Sequence, residues 1–121
     1  MQTARQKRGA AAYQAGVAAE AQVVRRYERQ GYRRVASRWR GTAGEIDLIV
    51  EQGDTVVFVE VKKARSFDAA LERLRPRQIK RLYQTAEEYS GSLAPGRDMR
   101  FDLAVVNSTG QIETLENVFA M

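Results

Sequence analysis

Two carboxylates interrupt otherwise apolar, strand-like runs: Asp47 in Gly44-Glu45-Ile46-Asp47-Leu48-Ile49-Val50 and Glu60 in Phe58-Val59-Glu60-Val61-Lys62. Between them Gln52-Gly53-Asp54-Thr55 reads as a hairpin turn, because Gly53 supplies the positive φ that a two-residue loop requires. Pairing Gln52 with Thr55 places Asp47 across from Glu60 and Glu45 across from Lys62, all on one face, since strand side chains alternate. Opposed like charges cost about 0.2–1 kcal/mol, and burial favours protonating one of them. A cation should compensate. Lys62 supplies one positive charge, and two carboxylates with nearby backbone carbonyls also suit a hard, oxygen-preferring ion such as Mg²⁺. The competing reading is a solvated face of alternating charges joined by a surface salt bridge.

Composition removes most rival chemistries. The chain has no His and no Cys, so thiol nucleophiles, imidazole bases and ordinary zinc sites are excluded. Carboxylate, lysine, hydroxyl and bound metal remain, and residues 45 to 62 gather most of that inventory. Net charge is +5. Residues 1–40 hold ten Lys/Arg against two Asp/Glu, net +8, whereas residues 41–121 hold ten against thirteen, net −3. A second basic stretch, Lys62, Lys63, Arg65, Arg73, Arg75, Arg77, Lys80 and Arg81, follows the hairpin. Basic stretches thus flank the carboxylates. Sixteen of the twenty basic residues are arginine, whose planar fork matches phosphate oxygens, so nucleic acid is the natural partner; a merely solvated basic face is the plainer alternative.

At 121 residues the chain is long enough for one domain with a real core and too short for two, so residues 1–121 read as one unit with a flexible basic tail over 1–8. No apolar run reaches the ~18 residues of a membrane span, and Gln14 and Glu20 break the alanine-rich start. A protein with no membrane partner and a cytoplasmic location is expected, and the absence of cysteine fits a reducing compartment.

Residues 9–30 read as a helix with Tyr13, Val17, Val24 and Tyr27 on one side. Glu20 falls within that stripe, so it should face the sheet as a third acid near Asp47 and Glu60, or else snorkel at the helix edge. After Gly31, Tyr32 to Ser37 reads as a strand, followed by Arg38-Trp39-Arg40 and a Gly41–Gly44 turn. Trp39 is read as packing rather than stacking on a base. Arg65 to Arg75 reads as a loop and short helix, and Pro76 opens a helix to Ser90. Arg100 to Asn107 is a nearly buried strand, with a Ser108-Thr109-Gly110 turn and a short last strand behind it. The order is αβββαβ plus a C-terminal strand, with no internal repeat, Gly-rich phosphate loop or coiled-coil heptad.

Gly16 and Glu20, the Gly44–Ile49 segment, the Phe58–Lys62 segment and Arg100-Phe101-Asp102 together resemble the YraN-like family, whose members belong to the PD-(D/E)XK nuclease superfamily. The match runs along nearly the whole chain, and the pattern is also similar to archaeal Holliday junction resolvases. This resemblance implies a restriction endonuclease-like α/β fold with a central mixed sheet flanked by helices. It further implies that Asp47, Glu60 and the Val61 carbonyl bind Mg²⁺ or Mn²⁺, with Glu20 completing or extending the site. Lys62 would orient or activate the attacking water, and Glu45 would be a ligand neighbour or a support for Lys62. Arg38, Arg40, Lys63, Arg65, Arg77, Gln78, Lys80 and Arg81 would contact nucleic acid. Three positions depart from the pattern: Ile46 precedes Asp47 where proline is common, Gln78 stands where relatives carry lysine, and Arg38 stands where asparagine is expected.

The expected activity is therefore metal-dependent cleavage of DNA phosphodiesters, with branched structures in repair or recombination as the substrate the resolvase resemblance implies; junction resolution would call for a homodimer. A protein that binds nucleic acid without cleaving it, and an interaction module whose acids only stabilise the hairpin, are the alternatives.

Overall fold

The computed structural model describes residues 3–93 and 95–118; at 12 and 13 it describes the helical backbone alone. The first helix, α1, spans Ala4–Arg29. It starts five residues earlier than expected because Thr3 and Gln6 form a capping box: the Thr3 hydroxyl accepts the Gln6 N–H at 3.1 Å and the Gln6 side chain accepts the Thr3 N–H at 2.8 Å. Residues 4–8, read above as part of a flexible tail, are thus helical; Met1 and Gln2 lie outside the described residues. Gly31, at φ 93°, ends the helix. Its N–H reaches the Glu28 carbonyl and the Tyr32 N–H reaches the Tyr27 carbonyl, both at 3.0 Å, satisfying carbonyls that the helix leaves unpaired.

Three antiparallel strands follow: β1 (Arg33–Arg40), β2 (Glu45–Gln52) and β3 (Thr55–Lys63). The hairpin turns at Gly53-Asp54 with Gly53 at φ 58°, and Gln52 pairs with Thr55 as expected. α2 (Phe67–Arg73) and α3 (Pro76–Ser90) then carry the chain across to β4 (Asp98–Val106), which lies parallel to β3. Such a crossover is what parallel neighbours require. β5 (Ile112–Leu115) returns antiparallel to β4, giving a mixed sheet in the order β1-β2-β3-β4-β5.

Both faces of the sheet are covered, which is why Val56 to Val59 read as a continuous apolar run. On one face α1 lays Ala19, Val23 and Tyr27 on Leu48, Val50, Val57, Val59, Ala104 and Val106. On the other, α3 packs Leu82 and Ala86 on Ile46, Ile49, Val56, Phe58 and Phe101, and Ala70 of α2 packs on Leu103 and Val105. The buried line of α1 is turned by about 80° from the expected stripe at 100° per residue. Val17 is 42% exposed, and the Tyr13 side chain lies outside the described residues. Small Ala19 forms the contact, so bulky residues alone misplace the face. Trp39 packs edge-on against Tyr89, in line with its structural reading.

Asp102 is fully buried on β4. It accepts from the Tyr27 hydroxyl at 2.7 Å, from Arg100 Nε and Nη2 at 2.9 and 3.0 Å, and from the Asn117 N–H at 3.0 Å. A buried carboxylate is tolerable only when paired and bonded in this way. The network ties α1 to β4 and to the segment after β5. Among the described residues no helix is long and apolar enough to cross a membrane.

Candidate functional site

The β2–β3 ladder runs from Gln52–Thr55 to Leu48–Val59. At the next residues the regular alternation of β2 slips: Ile46 and Ile49, an odd separation apart, both pack toward α3, while Leu48 and Val50 pack toward α1. Asp47 sits at the slip. Its Oδ2 accepts the Val61 N–H at 2.8 Å, doing the work of a strand partner. Its carboxylate also hydrogen-bonds the Glu60 side chain.

Glu60 is 7% exposed. Burial, reinforced by the Asp47 carboxylate beside it, pushes its carboxyl up to about 8, against the pull of Lys62. Lys62 Nζ lies 3.4 Å from Glu60 Oε1. Near neutrality Glu60 therefore keeps a proton, and the acid pair together with Lys62 is close to electrically balanced. The three residues lie at the carboxyl end of β3, the end of a strand that leads into a helical crossover and where ligands of open α/β sheets usually bind.

The other acids go elsewhere. Glu20 receives Arg38 Nε at 2.9 Å. Glu45, expected opposite Lys62, instead lies in register with Arg40 on β1 and receives its Nη2 at 3.1 Å. The slip at Asp47 is the cause, since residues before it no longer follow the β3 register. Among the described residues no group of three or more acidic side chains is placed to hold a metal ion. Two acids of the expected trio converge, and the third is held by an arginine. The pair still fits a hard divalent cation, because its donors are all oxygen. Asp47, Glu60 and the Val61 carbonyl are the residues that would hold such an ion.

Gly44 explains itself by contact. A Cβ there would lie 3.3 Å from Thr85 Oγ1 and 3.8 Å from the Arg81 Cβ. The close approach of α3 to the start of β2 thus leaves little room for a side chain at Gly44. Nearby, Glu88 of α3 accepts the Thr42 N–H at 2.8 Å and the Thr42 hydroxyl, fixing the β1–β2 turn. These bonds hold the Glu88 carboxyl below its ordinary value.

Arg40, Lys63, Arg65, Arg77, Lys80 and Arg81 are exposed, whereas Arg38 and Gln78 are half-buried. Sequence reasoning missed the Glu88 clamp, the left-handed backbone of Arg38 at φ 53° and the role of Asp102 as a buried pair. For Asp102 a signal existed: an acid in an apolar strand needs a partner, and Arg100 two residues earlier shares its face.

A mixed, open five-stranded sheet with helices on both faces, carrying a carboxylate pair and a lysine where β2 and β3 part, defines a mixed α/β domain with an acidic site at its sheet end. Residues 19–106 match the family described as Uncharacterised protein family UPF0102, and the chain belongs to it. This bears out the YraN-like membership expected from the motifs. A UPF0102 protein of Ruegeria pomeroyi is 52% identical over 117 residues, covering 93% of each chain. One from Roseobacter denitrificans is 47% identical over 119 residues, covering 97% of this chain and 92% of its own. One from Dinoroseobacter shibae is 49% identical over 118 residues, covering 95% and 87%.

Proposed function

We propose that the protein is a metal-dependent nuclease of the PD-(D/E)XK type, cleaving DNA phosphodiesters. The observation that carries this reading is the Asp47–Glu60 pair: Glu60 is 7% exposed, Asp47 beside it takes the Val61 N–H at 2.8 Å, and Lys62 Nζ lies 3.4 Å from Glu60 Oε1. A pair that only stabilised a hairpin would gain nothing from such crowding. The αβββαβ order, the parallel β3–β4 neighbours and the helices on both faces support a restriction endonuclease-like core.

In this reading Asp47, Glu60 and the Val61 carbonyl hold Mg²⁺ or Mn²⁺, which when bound lowers the pKa of water and offsets charge on the phosphate. Lys62 holds and orients the attacking water, while Arg81, Arg77 and Lys80 on α3 meet the phosphate backbone. Branched DNA in repair or recombination is the substrate we favour, which calls for a homodimer presenting two sites, in the cytoplasm. A second reading has its own support: with Glu20 on Arg38 and no third acid among the described residues at the pair, the domain would bind nucleic acid without cutting it.

The test is a Mg²⁺ and Mn²⁺ titration on labelled junction, flap and single-stranded DNA, comparing wild type with Asp47→Ala. Metal-dependent cleavage that disappears in the variant supports the nuclease. Salt-sensitive binding without cleavage supports the second reading, and no binding at low salt rejects both.

A further inference from the structure

The Glu20 carboxylate accepts Arg38 Nε at 2.9 Å, and the two side chains retain 19% and 32% exposure. Arg38 is flanked on β1 by Ser37, in register with Leu48, and by Trp39, in register with Ile46. Its rung neighbour on β2 is therefore Asp47. The backbone of Arg38 is left-handed, at φ 53°, a conformation that costs a non-glycine residue about 1–2 kcal/mol and persists where the surroundings impose it. Its consequence is visible along the strand. Ala36 and Trp39 pack toward α3, whereas Ser37 and Arg38 both line a cleft of about 540 Å³ against α1. β1 and β2 thus slip at the same rung, Arg38 beside Asp47, and the arginine is turned to the acid on α1. Arg25 and Arg34 line the same cleft, and with Arg38 they outnumber its acids, Glu20 and Glu28, so its lining is net positive and suits an approaching polyanion.

We propose that Glu20 is a positioning residue that acts through Arg38, holding its guanidinium in the α1 cleft at the rung of Asp47 as a phosphate-binding cation, and is not a ligand of the metal. This rests on the nuclease reading above. A carboxylate already in contact with a guanidinium is a poor partner for a divalent ion, which the same guanidinium would repel. A planar arginine fork is in turn well matched to two phosphate oxygens. The third acid thus serves the substrate side of the reaction, and Asp47 and Glu60 serve the metal side.

The experiment compares wild type, Glu20→Gln, Arg38→Gln and the double variant of the full chain. It measures Mn²⁺ affinity by calorimetry, binding of the labelled DNA in EDTA, and single-turnover cleavage at saturating Mn²⁺. Glu20→Gln should leave the Mn²⁺ Kd within about twofold, weaken metal-free DNA binding, and slow cleavage by about 10²-fold, the usual effect of removing one preorganised charge-stabilising donor. Arg38→Gln should reproduce those losses, and the double variant should be no worse than either. Arg38→Lys, which keeps the charge without the fork, gives the same comparison if Arg38→Gln does not fold. A tenfold or larger loss of Mn²⁺ affinity in Glu20→Gln, or single losses that multiply in the double variant, overturns the assignment. A wild type that takes up Mn²⁺ and cleaves none of the DNAs refutes the nuclease reading before any variant is compared, and this inference falls with it.

Discussion

Replacing Glu60 by Gln should change how stability depends on pH, and the direction follows from the burial of that one carboxyl. Glu60 binds its proton with a pKa of about 8 in the folded chain against 4.5 in the unfolded one. The folded state thus holds the proton more tightly, so Glu60 is harmless below the unfolded value and destabilises the fold increasingly as pH rises toward 8, with no further loss above it. Linkage at 1.36 kcal/mol per pH unit gives a loss of about 3 kcal/mol between about pH 5.5 and pH 8. Glutamine keeps a neutral side chain that can bond to Asp47 and cannot ionise, so the loss should vanish. The assay is urea unfolding of both proteins in EDTA across that range, read as the difference between them, in which other titrating groups largely cancel. Parallel pH curves, within about 0.5 kcal/mol, would refute the picture of a buried, protonated Glu60.

Asp102→Ala should destabilise the fold by about 3 kcal/mol, because it removes the buried acceptor of the Tyr27 hydroxyl and the Asn117 N–H and the main partner of Arg100, which among the described residues keeps only Tyr32 and Glu116; urea unfolding checks this, and a change under about 1 kcal/mol would contradict it. Gly44→Ala should cost about 1 kcal/mol against Thr85 Oγ1. That cost should shrink when Thr85→Ala removes the hydroxyl, and strict additivity in the double-mutant cycle would disprove the contact. Replacing Arg77, Lys80 and Arg81 together by Ala should flatten the salt dependence of duplex DNA binding by about 2–3 in log–log slope, and an unchanged slope would remove α3 from the interface.

What the chain reveals before folding is its local chemistry. Gly53 marks the turn, Gln52–Thr55 sets the register, Gly31 ends α1 and Pro76 opens α3, because each depends on a few adjacent residues. The hairpin register also brings Asp47 and Glu60 close in space, although the ladder itself ends at Leu48–Val59. Where the reading fails, a distant partner decides. The face of α1 is set by how closely Ala19 can approach the sheet, which hydrophobicity does not encode. Glu45 leaves Lys62 for Arg40 because β2 slips at Asp47, and no pattern in β2 announces a slip shared with Arg38 on β1. Asp102 was visible as part of a motif, yet its bonds to Tyr27 and Asn117 join positions far apart in sequence.

The shared slip also accounts for the placement of the site. In a regular ladder Asp47 would spend its length beside β3 with its backbone paired and its side chain on one face. Once β2 leaves the ladder after Leu48, the Val61 N–H needs an acceptor, and the Asp47 carboxylate supplies it at 2.8 Å. That bond draws Asp47 toward Glu60 in spite of their charge. It also sets the two acids side by side, with Lys62 Nζ 3.4 Å from Glu60 Oε1. The same irregularity on β1 turns Arg38 toward Glu20 and the cleft. Left-handed backbone and charge crowding thus meet on one rung, while the valine-rich run of β3 and the hydrogen-bonded Asp102 network beside it are satisfied. A rung where left-handed backbone, a shared slip and two crowded acids coincide marks where the chemistry of the fold is to be sought.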